Sequence, residues 1–142
     1  MERLLSLYQK LRESGTRFYM WSMQGDKAVT MEVDGSYGIF IDFDNVASSS
    51  EEAVIVAHEG GHAFTGATHK VCSPFDLVEK HEHKAWKWAV KNYISEEDLD
   101  NAVAEGYTDI YSLAEHFGVT EDFMRKVVCW YTHGNLATEL YF

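Results

Sequence analysis

A histidine pair flanks a glutamate near the middle of the chain, in the pattern His58-Glu59-x-x-His62. The pair follows an apolar run at 53–57, which favours a helix. Residues four apart on a helix lie on the same face, so both imidazoles can point at one metal ion. Glu59 lies one position further on, where its carboxylate can reach a water beside that ion. The pattern predicts a zincin-type site, with two zinc ligands and a general base from one helical turn.

The alternative interpretation is a pair of surface histidines without chemical function. Gly60 and Gly61 argue against it, because each glycine within a helix costs about 0.5–1 kcal/mol relative to alanine. A purely structural helix has little reason to carry both. A helix that needs close backbone approach, or room for a substrate above a metal, does have one.

A zinc site needs a third protein ligand, and several candidates lie downstream in the sequence. They are His69, Glu79, His81, Glu82 and His83. His69 is one residue out of register with the third histidine of metzincin sites, and one residue is about 100° of helix rotation. The choice therefore depends on the helix that follows.

That helix is predicted at 74–93, with Ser73 as its N-cap and Pro74 at its first position. Glu82 lies on a stripe of the helix that is otherwise apolar or small. The other members of the stripe are Val78, Ala85, Ala89 and Tyr93. A carboxylate on such a face is expensive to bury unless it is paired or bound to a metal. Glu82 is the predicted third ligand, unless it lies at the edge of the stripe and reaches solvent.

Together, the two segments resemble the ImmA/IrrE family of metallopeptidases. The resemblance is carried by 58–69 and by 82–89, which reads Glu-x-x-Ala-x-x-Trp-Ala, and it covers about residues 30–135. In that family the second-helix glutamate is the third zinc ligand, a role that falls on Glu82. The resemblance also implies a substrate: a helix-turn-helix repressor, often of a phage or mobile element, which is cut or inactivated. The chain has Ile-Ser at 94–95 where the family usually has a proline, which changes the helix end and not the ligands.

Local patterns predict an α+β fold with a small sheet followed by helices. A first helix should end near Glu13, and the stretches 27–33 and 37–43 should form a hairpin around Asp34-Gly35. Later helices are expected from the serines at 48–50 to Gly66, over 74–93, and from Ser95 to about Gly106. The exposed edge of 37–43 is the predicted place where substrate backbone adds as a strand.

Composition limits the function classes. With 142 residues, 46% of them hydrophobic, the chain is long enough for one globular domain spanning 1–142. No apolar run approaches a membrane span, and the N-terminus lacks the apolar core of a signal peptide, so a cytoplasmic protein without a membrane partner is expected. The net charge of −11 disfavours nucleic acid as a partner but suits a basic protein.

A helix-turn-helix-like stretch at 109–131 supports a rival interpretation, a DNA-binding transcription regulator. Ala114, a turn at Gly118 and a capping Thr120 fit that motif. However, the second helix opens with Glu121-Asp122, whose carboxylates repel DNA. The pair is therefore predicted to pack on the rest of the chain. The residues expected to face inward are Leu113, Phe117, Phe123, Val127 and Trp130.

The predicted function is zinc-dependent hydrolysis of a protein inside the cell. His58, His62 and Glu82 are the expected ligands of Zn²⁺, and Glu59 is the expected general base. The donor to the developing oxyanion is left open among His69, His81, His83 and Tyr93. Two other functions stay open as well: sequestration of a repressor by a non-catalytic zinc protein, and a purely structural metal site.

Overall fold

A computed structural model of the chain describes residues 2–66 and 75–142. Three strands and one helix precede a series of helices, which confirms the predicted α+β class. The elements are α1 (Glu2–Glu13), β1 (Arg17–Met20), β2 (Ala28–Val33), β3 (Ser36–Ile41), a short 3-10 turn (Phe43–Asn45), α2 (Ser49–Thr65), α3 (Phe75–Tyr93), α4 (Glu96–Ala104), α5 (Ile110–Phe117), α6 (Glu121–His133) and α7 (Thr138–Tyr141). Within the described ranges, no helix is both long and apolar enough to cross a membrane.

The β2–β3 hairpin forms as predicted, but its place in the sheet differs from the expectation. Asp34 and Gly35 have φ of 50° and 79°, the two positive values that a type I′ turn requires. The strand order is β1-β3-β2, with β1 parallel and β2 antiparallel to β3. The prediction that 37–43 offers a free edge was therefore wrong, because β3 is paired on both sides. Among the described residues, β2 is the hairpin strand that is paired on one side only.

Helix α2 begins and ends at the predicted signals. The hydroxyl of Ser48 accepts a hydrogen bond from the backbone N–H of Glu51, and Gly66 ends the helix with a φ of 69°. Helix α4 carries a capping box between Ser95 and Asp98. The predicted start of α3, at Ser73-Pro74, lies outside the described residues.

The core lies between the inner face of the sheet and the helices. Ile39 and Ile41 of β3 are buried against α1 and α2, where Leu11 and Val56 are fully buried. Strand alternation places Thr30 of β2 on this same inner face. The sheet thus covers α2 on the side that carries the histidine pair.

The two glycines of α2 allow close approach of neighbouring helices, as the sequence suggested. A Cβ on Gly61 would lie 2.8 Å from the Cα of Ala85 in α3, and nearer still to its carbonyl oxygen. A Cβ on Gly60 would lie 2.8 Å from the Cδ1 of Leu11 in α1. Ala85 is three residues after Glu82, so the contact at Gly61 fixes how close that carboxylate comes to α2.

Helices α5 and α6 form the helix-turn-helix-like pair, and they pack on the rest of the protein. The turn uses Gly118, with φ of 66°, and Thr120, whose hydroxyl accepts from the N–H of Phe123. Four of the five predicted inward residues are buried. They are Leu113, Phe117, Phe123 and Val127.

Trp130, the fifth predicted inward residue, is only partly buried. Cys129 beside it is fully buried, which the sequence argument missed. The reason is the chain after α6, which folds back so that the thiol of Cys129 donates to Asn135 Oδ1 at 3.5 Å. The prediction from helical spacing took no account of the segment after α6, which covers this part of the helix.

The contact at Gly61 leads to a mutational prediction. Gly61→Ala should lower the free energy of unfolding by roughly 1–3 kcal/mol, because the new methyl group meets α3 backbone that cannot rotate away. Gly60→Ala is the matched control, since its neighbour is the end of the flexible Leu11 side chain. Urea unfolding measures both. Equal stability of the two variants would contradict the argument.

Candidate metal centre

Helices α2 and α3 bring His58, His62 and Glu82 together. Glu82 Oε2 lies 2.7 Å from His58 Nε2, and Glu82 Oε1 lies 3.0 Å from His62 Nε2. One potential ligand atom from each residue lies within 4.8 Å of the other two. The spacing of the histidines, one helical turn apart, and the docking of α3 produce this triad.

The donor set and its geometry suit a zinc ion. Two imidazole nitrogens and one carboxylate oxygen are a common zinc ligand set in catalytic sites, where bonds of about 2.0–2.1 Å hold donors roughly 3.3 Å apart. The carboxylate would have to retreat by only a few tenths of an ångström. The Glu82 side chain is 37% exposed and can make this shift, whereas those of His58 and His62 are 18% and 7% exposed. The three side chains can therefore hold a metal on one side and leave another side of the metal accessible.

The electrostatics of the metal-free triad favour a protonated imidazole between carboxylates. Burial alone would lower the pKa of His58, but hydrogen bonds and charge from Glu59 and Glu82 outweigh it and raise that pKa to about 9. Hydrogen bonds from His58 and His62 hold the pKa of Glu82 well below its usual range. The cluster thus stabilises a positive charge in the place where a cation would bind.

Glu59 lies beside the triad and is held from the sheet. Its Oε1 accepts a hydrogen bond from the Thr30 hydroxyl at 2.8 Å, and that hydroxyl is also 3.1 Å from the Glu59 carbonyl oxygen. Its Oε2 is 3.3 Å from His58 Nδ1. Burial acts to raise the pKa of Glu59, but the His58 and Thr30 hydrogen bonds lower it. The carboxylate is thus ionised and fixed in direction, as a proton acceptor requires.

These residues line one cleft of about 320 Å³ beside β2. The cleft is bounded by Asp26, Ala28, Val29, Thr30, His58, Glu59, His62 and Glu82. Thr30 and Asp26 were not singled out from the sequence. Their position follows from how β2 packs along α2, which no local sequence pattern predicts. The structure therefore adds a hydroxyl and a carboxylate to the four predicted residues.

The candidates for an oxyanion donor have different positions. Tyr93 is eleven residues beyond Glu82 on α3, about 16 Å along the helix axis, and its ring packs on Phe123. His81 and His83 flank Glu82, but neither lines the cleft. His69 lies outside the described residues.

The ionisation of the triad predicts how the metal-free protein responds to pH. A His58 pKa raised from 6.5 to about 9 adds stability that is complete below about pH 6.5 and is lost as the pH rises through about 9. Urea unfolding of chelator-treated protein should therefore show lower stability at pH 9 than at pH 6.5, with a smaller decline in His58→Gln. Because a bound metal displaces this proton, stabilisation by added zinc should grow over the same range. A metal-free protein equally stable at both pH values would contradict this.

Comparison with known proteins agrees with the cleft geometry. Residues 18–127, well over half of the chain, match peptidase family M78, described as the IrrE N-terminal-like domain. Neither a curated protein sequence nor a solved structure gives a significant match. The matched range contains β2, β3 and all of β1 except its first residue, together with both histidines, Glu59 and Glu82. With its cleft and its sequence in agreement, the chain belongs to the metallopeptidase family of IrrE N-terminal-like domains.

Proposed function

We propose that this protein is a zinc-dependent endopeptidase, with His58, His62 and Glu82 as metal ligands and Glu59 as general base. The observation that carries the proposal is the convergence of a metal-binding triad and a buried, directed carboxylate in one cleft. A structural zinc site would be closed and four-coordinate. Among the residues that the structure describes, three side chains form the group and they line a cleft, which favours a catalytic site over a closed structural one.

In the proposed reaction Glu59 moves the proton. Zinc at the triad would polarise the scissile carbonyl and lower the pKa of a neighbouring water. Glu59 accepts the proton of the attacking water and then donates it to the leaving amine. The Thr30 hydroxyl keeps the carboxylate aimed into the cleft during both steps.

We further propose that the substrate backbone adds as a strand to the edge of β2 that pairs with no other described strand. That edge borders the cleft, and strand addition supplies backbone hydrogen bonds without a demand on sequence. Selectivity would come from charge. Asp26 is exposed at the cleft and the chain carries a net charge of −11, which together attract a basic protein.

A helix-turn-helix repressor is the proposed substrate, and the protein is proposed to act in the cytoplasm. DNA-binding proteins carry the basic surfaces that this acidic chain would attract. The family resemblance points to the same substrate class. The α5–α6 pair is not proposed to bind DNA, since its Arg125 is paired with Asp122 at 2.9 Å.

Glu59→Gln separates catalysis from metal binding. The variant should fold and keep its zinc, because Gln is nearly isosteric and Glu59 is not one of the three ligands. Cleavage should fall by at least about a hundredfold, since the amide cannot accept a proton at neutral pH. Elemental analysis measures the zinc content of the variant. Mass spectrometry measures its cleavage of a repressor encoded beside the gene. If the variant cleaves the repressor at the parental rate, Glu59 is not the general base. If the parent binds the repressor without cleaving it, sequestration is favoured instead.

Thr30→Val tests whether the hydroxyl directs the base. Valine keeps the shape of the side chain and removes a hydrogen bond to a charged group, worth about 1.5–3 kcal/mol. We expect kcat on the same substrate to fall roughly tenfold or more with KM nearly unchanged. Thr30→Ser, which keeps a hydroxyl, should restore most of the rate. A valine variant with the parental kcat would show that Thr30 is only a packing residue.

A further inference from the structure

The face of one candidate ligand is covered by an aromatic ring. The indole of Trp86 stacks on the imidazole of His58, with ring centroids 4.0 Å apart and an interplanar angle of 11°. Trp86 lies four residues after Glu82 on α3, so the two side chains share a helix face. Helix α3 therefore presents a ligand and, one turn later, a flat surface against a second ligand.

The indole of Trp86 is also contacted from α6. The Nζ of Lys126 lies 4.6 Å from the centroid of the Trp86 ring, within the range of a cation–π contact. The buried Phe123 of the same helix lies 6.2 Å from the indole, centroid to centroid. The indole is thus fixed between α2 and α6.

A stacked ring suits His58 because both of its nitrogens already face residues of the proposed site, so a contact on the ring face can add to its orientation. Metal-binding histidines are usually oriented by a hydrogen bond from the second ring nitrogen. Here Nε2 faces Glu82, and Nδ1 faces Glu59, the proposed base, at 3.3 Å. A face-on contact can restrict rotation of the ring without using either nitrogen.

We propose that Trp86, held in place by Lys126, is a positioning residue that sets the metal affinity of the centre by fixing the plane of His58. The proposal rests on the zinc site assigned above. It gives the helix-turn-helix-like pair a function within the peptidase, since α6 contributes to ligand geometry. The contribution is indirect: Lys126 acts on Trp86, and Trp86 acts on His58.

The same helix pair provides a matched control. The Nζ of Lys87 lies 5.3 Å from the ring centroid of Trp130, which repeats the lysine–tryptophan contact between α3 and α6 with the partners exchanged. Neither of these two residues lines the cleft. Substitutions of Lys87 and Trp130 therefore report the loss of interface packing without loss of the stack on His58.

The experiment compares metal binding by full-length variants. Zinc affinity is measured by competition with a chromophoric chelator, and ligand geometry by the visible spectrum of the cobalt-substituted protein. We expect Trp86→Leu to weaken zinc binding by about tenfold or more and to alter the cobalt spectrum. Trp86→Phe should retain most of the affinity because its ring can still stack. Lys126→Met should weaken binding about twofold to fivefold, the equivalent of an exposed cation–π contact.

The control variants, Trp130→Leu and Lys87→Met, should bind zinc as tightly as the parent even where their thermal stability falls. If Trp86→Leu binds zinc with the parental affinity and spectrum, the inference is overturned and the proposed peptidase stands. If Trp130→Leu weakens binding as much as Trp86→Leu, packing explains the effect and the inference is again overturned. A parent that binds no zinc overturns both proposals. If Trp86→Leu does not fold, Lys126→Met provides the test. A zinc affinity of Lys126→Met equal to that of Lys87→Met would then overturn the inference.

Discussion

The backbones of α2 and α3 touch at Gly61 and Ala85, and the arrangement of the cleft depends on this contact. A glycine in mid-helix is unfavourable by about 0.5–1 kcal/mol, but it removes a Cβ that would collide with the backbone of α3 at Ala85. With no Cβ between them, α3 lies close enough for Glu82 to reach both histidines. The sheet then confines the same turn of α2 from its other side through Thr30. The apparent weakness of the helix is what allows a carboxylate from a second helix to complete the triad.

What the sequence predicted well is encoded in single segments. The hairpin and the caps of α2 and α4 each depend on spacing within a few residues. The position of β1 was not predicted, because parallel pairing joins residues far apart in the chain and leaves no turn signal. Thr30 and Trp86 were missed for the same reason. Each contacts a residue of another element, and its residue type alone is compatible with ordinary packing.

The helix-turn-helix likeness of α5 and α6 has a simple physical origin. Any tight connection between two helices needs a residue with positive φ and a cap for the next helix, here Gly118 and Thr120. Those requirements are the same whether or not the second helix reads DNA. In this protein Arg125 is paired with acidic neighbours and Lys126 lies over an indole, so the basic residues of α6 are engaged within the chain. Motif shape therefore indicates packing geometry, while function depends on which surfaces stay free.

The division of the triad between two helices has a kinetic consequence. His58 and His62 belong to one turn of α2, whereas Glu82 arrives only when α3 is docked. An ion entering the cleft could engage the imidazoles first and the carboxylate second, and it would leave in the reverse order. Because α3 is anchored at Ala85, whose side chain is fully buried, the backbone that carries Glu82 stays close to α2, while its partly exposed carboxylate can still turn away. Exchange of a bound metal would then need only a rotation of the Glu82 side chain, and not the opening of α3 from α2.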